Sequence, residues 1–337
     1  MDTLSKITIA FVRAAFLSLR AYFAVAATAF ILTAATTSAL ANNFPDRPIK
    51  FILGFGTGGP TDIIARTLAD QLSKDLGQRV IVENKTGASG NLATQAVASA
   101  DADGYSYLIG ATPLAVNESL FPELPVKFGR DLVAVAPIGA TANVLVVRPS
   151  LNVKTLAELI QRARSQPDAV SYATVGIGSS SHLAGVALDL RAGTKMLAIA
   201  YRGGGEALKD LLGGQVDAWF APVASVLGAV QAGNLVALAS TGPQRVPGLP
   251  NVPTMSESGF PGFDSRLWVG VFARTGVPAD SMHVVEMAIA RAMATADMQA
   301  ALTTQGITPM TMSRPDFNKF VMTEIERWKT VVVAFKK

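Results

Sequence analysis

Residues 49–83 read IKFILGFGTGGPTDIIARTLADQLSKDLGQRVIVE, and the order of patterns within them decides the fold. Residues 49–55 are an apolar run of the length of a buried strand. Over 61–76 the apolar residues Ile63, Ile64, Leu68 and Leu72 recur at helical spacing, and Gly77 supplies a C-terminal stop. Residues 80–83 are a second strand. A helix over 91–100 and a strand over 105–110 (YSYLIG) follow. Strand, helix, strand, helix, strand implies right-handed βαβ units on a parallel sheet.

Downstream the pattern restarts. Strands are expected at 144–147, 170–174, 196–201, 218–221 and 236–240. Helices are expected at 155–165, 182–190, 206–212 and 225–232, the third of them stopped by Gly213-Gly214. Thr155 with Glu158 three residues on spells a capping box. A strand at 268–273 comes late, followed by helices at about 279–295, 297–305 and 314–335. One strand left over near the end places the second α/β unit as an insertion in the first. The expected division is 42–142 with 266–337 for lobe 1 and 143–265 for lobe 2, with crossings near 141–145 and 263–268. A pair of lobes joined by two crossings can open and close around a cleft.

Residues 1–41 read as a secretory signal peptide: Lys6, Arg13 and Arg20 at the start, an apolar run over 21–35, and Ala39-Leu40-Ala41 before Asn42. The run is short for a membrane span of about 20 residues, so cleavage and an exported product are expected. Its removal takes away those three bases and Asp2, so the formal charge of +4 falls to +2. No dense Lys/Arg run remains, which argues against nucleic acid as a partner. A chain that is 50% hydrophobic and 16% charged is not a disordered one. With no cysteine and only two histidines, His182 and His283, there is no thiol chemistry and no visible metal-ligand spacing; neither cofactor nor metal is expected.

Ligands of open parallel sheets bind beyond the carboxyl ends of the strands. Five loops stand there. Phe55, Gly56, Thr57, Gly58 and Gly59 join a strand to a helix start, where backbone N–H groups suit an anionic oxygen. The spacing fails both the dinucleotide fingerprint and the phosphate-loop pattern. Asp62 can cap the helix or pair with Arg66. The segment around Thr112 is the second loop. The third, with Gly178, Ser179, Ser180, Ser181 and His182, gathers hydroxyls and amides at another helix start. Adjacent Ser181 and His182 lack a nucleophile elbow and an orienting acid, which disfavours catalysis. Tyr201, Arg202 and Gly203 form the fourth loop, suited to hydrogen bonding a carboxylate. Ala221, at the end of a strand, belongs to the fifth.

These residues carry a resemblance. The segments Phe44-Pro45-Asp46-Arg47-Pro48-Ile49, Gly58-Gly59-x-Thr61-Asp62, Val82-Glu83-Asn84-Lys85, Gly90-Asn91, Asp103-Gly104-Tyr105, Ser181-His182-Leu183-Ala184-Gly185, Tyr201-Arg202-Gly203, Asp210 to Asp217 (DLLGGQVD) and Val252-Pro253-Thr254 resemble the substrate-binding receptors of tripartite tricarboxylate transporters, the Bug receptors. The resemblance implies an α/β fold of the two-lobed, type II-like periplasmic binding protein kind, each lobe a mostly parallel sheet flanked by helices. It implies a carboxylate held by loop amides and hydroxyls and delivered to a membrane permease. Gly56 and Thr57 stand where the family's first loop is often proline-rich, and Ala221-Pro222 where it often has Asp-Asn.

The expectation is therefore a monomeric, non-enzymatic receptor that closes on a small organic acid: a dicarboxylate, a tricarboxylate or an aromatic acid. A receptor that signals rather than transports is the alternative, with an exported hydrolase behind it.

Overall fold

The computed structural model describes residues 44–201 and 203–335; the signal-peptide expectation at 1–41 and Arg202 lie outside them. Two sheets share one strand. In the first, β1 (Ile49–Leu53) pairs in parallel with β2 (Val80–Asn84) and β3 (Ser106–Ala111). The helix between β1 and β2, α1 (Pro60–Leu76), lays Ile64, Leu68 and Leu72 on the sheet with none of their surface exposed, while Ile63 is half-buried. It ends where Gly77 turns to φ 65°, the left-handed cap that glycine adopts without strain. The helix between β2 and β3 is α2 (Asn91–Ala98), and α3 (Pro113–Leu120) follows β3.

The chain then runs through β4 (Leu132–Val147), a 16-residue strand of which the sequence discloses only the last four residues. Pro137 and Gly139 in its first half read as breakers; the strand absorbs them as two register shifts, between Ala134 and Ala136 and between Pro137 and Gly139. Up to Ala142 it pairs antiparallel with β9 (Arg266–Arg274), which in turn pairs antiparallel with β3; the short β10 (Thr308–Pro309) lies on its other edge. From Asn143 on it pairs antiparallel with β7 (Ala218–Pro222) and β8 (Val236–Ser240). The second sheet is completed by β5 (Ser171–Thr174), parallel to β7, and β6 (Leu197–Ala200), parallel to β5. Each sheet thus keeps a parallel block at its outer side and meets the other through antiparallel ribbons.

Helices cover both sheets: α4 (Leu156–Ser165), α5 (Ser180–Ala192), α6 (Gly204–Leu212) and α7 (Val223–Gln231) on the second, and α8 (Ala279–Met293), α9 (Ala296–Thr304) and α10 (Arg314–Phe335) with the first. The capping box forms: Thr155 Oγ1 accepts from Glu158 N, and Glu158 Oε2 from Thr155 N, both at 3.2 Å. Strand alternation splits the second lobe's core, Val144 and Val146 facing α6 and α7, Leu145 and Val147 facing α4 and α5. In the first lobe, Phe317, Val321 and Trp328 of α10 pack on Trp268 and Phe272 of β9. Gly270 permits this, because a Cβ there would stand 2.3 Å from Phe317 Cζ. Each of these buried aromatic side chains contributes about 1.5–3 kcal/mol.

Where the two sheets join, the crossings are fastened to each other. Asn143 and Thr241 exchange backbone and side-chain bonds (Asn143 N to Thr241 Oγ1, 3.0 Å; Thr241 N to Asn143 O, 2.8 Å), and Thr241 Oγ1 donates to Ser265 O at 2.8 Å. All three residues are buried. From Arg47 onward the described residues belong to one compact unit, and none of its helices is long and apolar enough to cross a membrane.

Candidate functional site

The loop after β1 is built around one carboxylate. Pro60 fixes the first position of α1, and Gly59 before it is extended. Gly58, at φ +80°, turns its amide onto Asp62 Oδ2 at 2.9 Å. The same carboxylate, 3% exposed, accepts from Arg66 Nε and Nη2 and from Asn84 Nδ2, all at 2.9 Å. Asn84 Nδ2 also donates to Phe55 O at 2.9 Å, so the loop is tied to the end of β2. Burial pushes the Asp62 carboxyl up, but the bonds from Arg66, Gly58 and Asn84 outweigh it and hold the group below the ordinary aspartate range. Of the two roles expected for Asp62, pairing with Arg66 is present, and the N-cap position belongs to Gly59. Gly56, Thr57 and Gly58 are exposed at the tip.

The loop after β5 repeats this construction with neutral groups. Gly178, also at φ +80°, donates its amide to His182 Nδ1 at 3.3 Å. Ser179 caps α5, its Oγ accepting from His182 N and donating to Gly176 O. Ser181 Oγ accepts from Val175 N at 3.2 Å and lies 3.0 Å from Ser179 Oγ. Ser180 and His182 are buried, and burial lowers the imidazole pKa, which keeps Nδ1 available as an acceptor.

A third loop, 87–90, brings the two together. Gly87, Ala88, Ser89 and Gly90 all have positive φ (131°, 46°, 55° and 86°); for Ala88 and Ser89 this is strained, at about 1–2 kcal/mol per residue. Gly54 lies against it so closely that a Cβ there would stand 2.6 Å from Gly90 Cα. On the other side, Ser89 Oγ donates across to Ile177 O at 3.1 Å. Asn117 of α3 fixes the loop by donating Nδ2 to Ser89 O (3.0 Å) and Asn91 Oδ1 (2.9 Å). Below these bonds the lobes share an apolar seam: Leu183 and Val186 of α5 meet Val116 and Leu120 of α3 and Val331 and Val332 of α10. The glycine-rich turns of the two lobes thus both border the 87–90 segment.

The remaining expected residues are placed as follows. Thr112 is fully buried, its Oγ1 donating to Arg266 O and accepting from Trp268 N, which stitches the end of β3 to β9. Ala221 is fully buried opposite Val144. Tyr201 packs on the core beneath α6, where burial and the neighbouring Asp210 carboxylate raise its hydroxyl pKa. Gly203 is the extended N-cap of α6. Ser89, Asn117 and Asn84 are contributors that residue patterns alone do not single out. The one signal was GASG at 87–90, a second glycine-rich join of strand to helix.

Residues 64–336 match the family described as Tripartite tricarboxylate transporter family receptor. The chain belongs to this family. Among curated relatives of the receptor, Protein BugT of Bordetella pertussis is 38% identical over 306 residues, 90% of this chain and 94% of that protein. Among solved structures, MatC from Rhodopseudomonas palustris with bound malate is 31% identical with a TM-score of 0.77, covering 86% of this chain and 100% of that one. A second R. palustris protein, solved with adipate, is 31% identical with a TM-score of 0.77, covering 86% and 97%. The receptor therefore has the two-lobed α/β fold of solute-binding proteins.

Proposed function

We propose that this receptor is a periplasmic capture protein. Its lobes close on a small organic acid, make and break no covalent bond, and offer the loaded form to the membrane permease of a tripartite tricarboxylate-type transporter. The observation that carries the reading is the meeting of two helix-start loops, one from each sheet, at the 87–90 segment, where Ser89 Oγ reaches Ile177 O. The first N–H groups of α1 and α5 lie beyond the reach of intrahelical carbonyls, and a carboxylate satisfies such groups well. The acids bound by the two solved relatives, malate and adipate, support a carboxylate as the ligand class.

The proposed contacts are residues 55–59 and 178–182, with Thr112, Tyr201, Gly203 and Ala221 around them; Arg202 is kept on its sequence neighbours alone. A second lobe at 143–265 is supported by the change of strand partners between Ala142 and Asn143. A reading without catalysis is supported by the occupation of the only adjacent serine and histidine in the loop. Ser181 Oγ accepts from Val175 N, and His182 Nδ1 from Gly178 N.

Thermal unfolding in the presence of dicarboxylates, tricarboxylates and aromatic acids tests the proposal. A ligand at a hundred times its Kd should add about 2.7 kcal/mol to the native state, and micromolar affinity corresponds to about 8 kcal/mol of binding. If every acid leaves the midpoint unmoved, the reading fails. The exported protein should begin at Asn42 on N-terminal sequencing and elute as a monomer.

A further inference from the structure

Asn117 has an unusual inventory. It is 4% exposed, and both hydrogens of its amide are used, one on Ser89 O and one on Asn91 Oδ1. Two acceptors opposite one amide nitrogen fix which end is oxygen. That oxygen, Oδ1, has no hydrogen-bond partner among the described residues. It is turned to the opposite lobe, where a Cβ built on Gly178 would lie 3.6 Å from it, and the Gly178 amide is already committed to His182. The side chain also borders a small cavity with Gly54, Phe55, Ser89, Gly110 and Pro113, at the carboxyl ends of β1 and β3. An acceptor buried without a donor is costly, and a site that holds one discriminates in favour of molecules that supply the donor.

We propose that Asn117 is a specificity-determining residue: its Oδ1 accepts a hydrogen bond from a hydroxyl or ammonium group of the bound acid. The receptor then prefers hydroxy or amino acids over unsubstituted acids of the same carbon skeleton. This rests on the carboxylate-receptor reading and narrows it. The loops at 54–59 and 178–182 supply amides and hydroxyls for carboxylate oxygens, while Asn117 reads the carbon between the carboxylates.

The experiment is calorimetric titration of the purified receptor with matched acids: succinate against malate and aspartate, glutarate against 2-hydroxyglutarate and glutamate, tricarballylate against citrate. In each set that binds, the donor-bearing member is expected to bind about tenfold tighter. Asn117→Leu should bring the members of a set within about twofold of each other. Ser89→Ala, which removes the interlobe bond and leaves Oδ1 in place, should weaken both alike and keep their ratio. If Asn117→Leu does not fold, Asn117→Ser withdraws the oxygen from the gap at a smaller loss of packing. Equal or reversed affinities in the unaltered receptor, or a ratio unmoved by either Asn117 variant, overturn the assignment of Asn117 and leave the carboxylate reading standing. Failure of every acid to bind sinks both.

Discussion

The loops after β1 and β5 solve one problem with different chemistry. Each ends a parallel strand and starts a helix. Each puts a glycine at φ +80° and fastens its amide to the side chain four residues on. In the first lobe that side chain is the Asp62 carboxylate, which also gathers Arg66 and Asn84; in the second it is the uncharged His182 ring, supported by serine hydroxyls. The backbone shape is shared, and the side chain that holds it is free to differ. The difference sets how firmly each loop is anchored, and at what pH it lets go.

The largest effect expected from breaking the comparison is Asp62→Ala. It orphans the Gly58 amide and takes one partner each from Asn84, which keeps Phe55 O, and from the partly exposed Arg66, which keeps Asn84 Oδ1, and should cost about 2–3 kcal/mol in urea unfolding. Next is a pair with the same backbone strain. Gly58→Ala meets no atom of the described residues within 4 Å, whereas a Cβ at Gly178 stands 3.2 Å from Leu120 Cδ2 across the seam. Both should lose about 1 kcal/mol of stability to the left-handed conformation, but only Gly178→Ala should also weaken the acid that the receptor binds, by about tenfold, because it props the lobes apart. If both variants bind alike, the seam does not govern closure.

The pH response separates the anchors further. His182 has a folded pKa below its unfolded value of about 6.5. Its contribution is therefore full above that value and drains away as the pH falls through the folded pKa. Asp62 is likewise depressed, so its contribution persists down to about pH 4, near the unfolded aspartate value, and is lost below it. Stability measured from pH 7 to 5 should fall in the unaltered protein and stay flatter in His182→Gln. The smallest effect is Ser89→Ala, which removes one interlobe bond: a loss of about three- to tenfold in ligand affinity with little change in the midpoint of the ligand-free protein.

What the sequence made legible was local. The β1–α1–β2 unit, the cap at Gly77 and the Thr155–Glu158 box each depend on residues within a few positions of one another, and they fold as read. The first half of β4 was hidden because Pro137 and Gly139 are tolerated at register shifts, which only the pairing with β9 can reveal. The helix α3 was hidden because Pro113 to Asn117 are all buried, leaving no amphipathic period to detect. Of the candidate site, the two glycine loops were visible as strand-to-helix joins. Ser89 and Asn117 were not, since their roles rest on bonds to residues 88 and 28 positions away.

Because β4 passes unbroken from one sheet into the other, the joint between the lobes contains no slack linker along that strand. Rotation of one lobe against the other has to be stored as torsion in an extended ribbon, pinned on both sides by Asn143, Thr241 and Ser265. The element is thus expected to act as a leaf spring rather than a door hinge, its stiffness limiting how wide the receptor gapes.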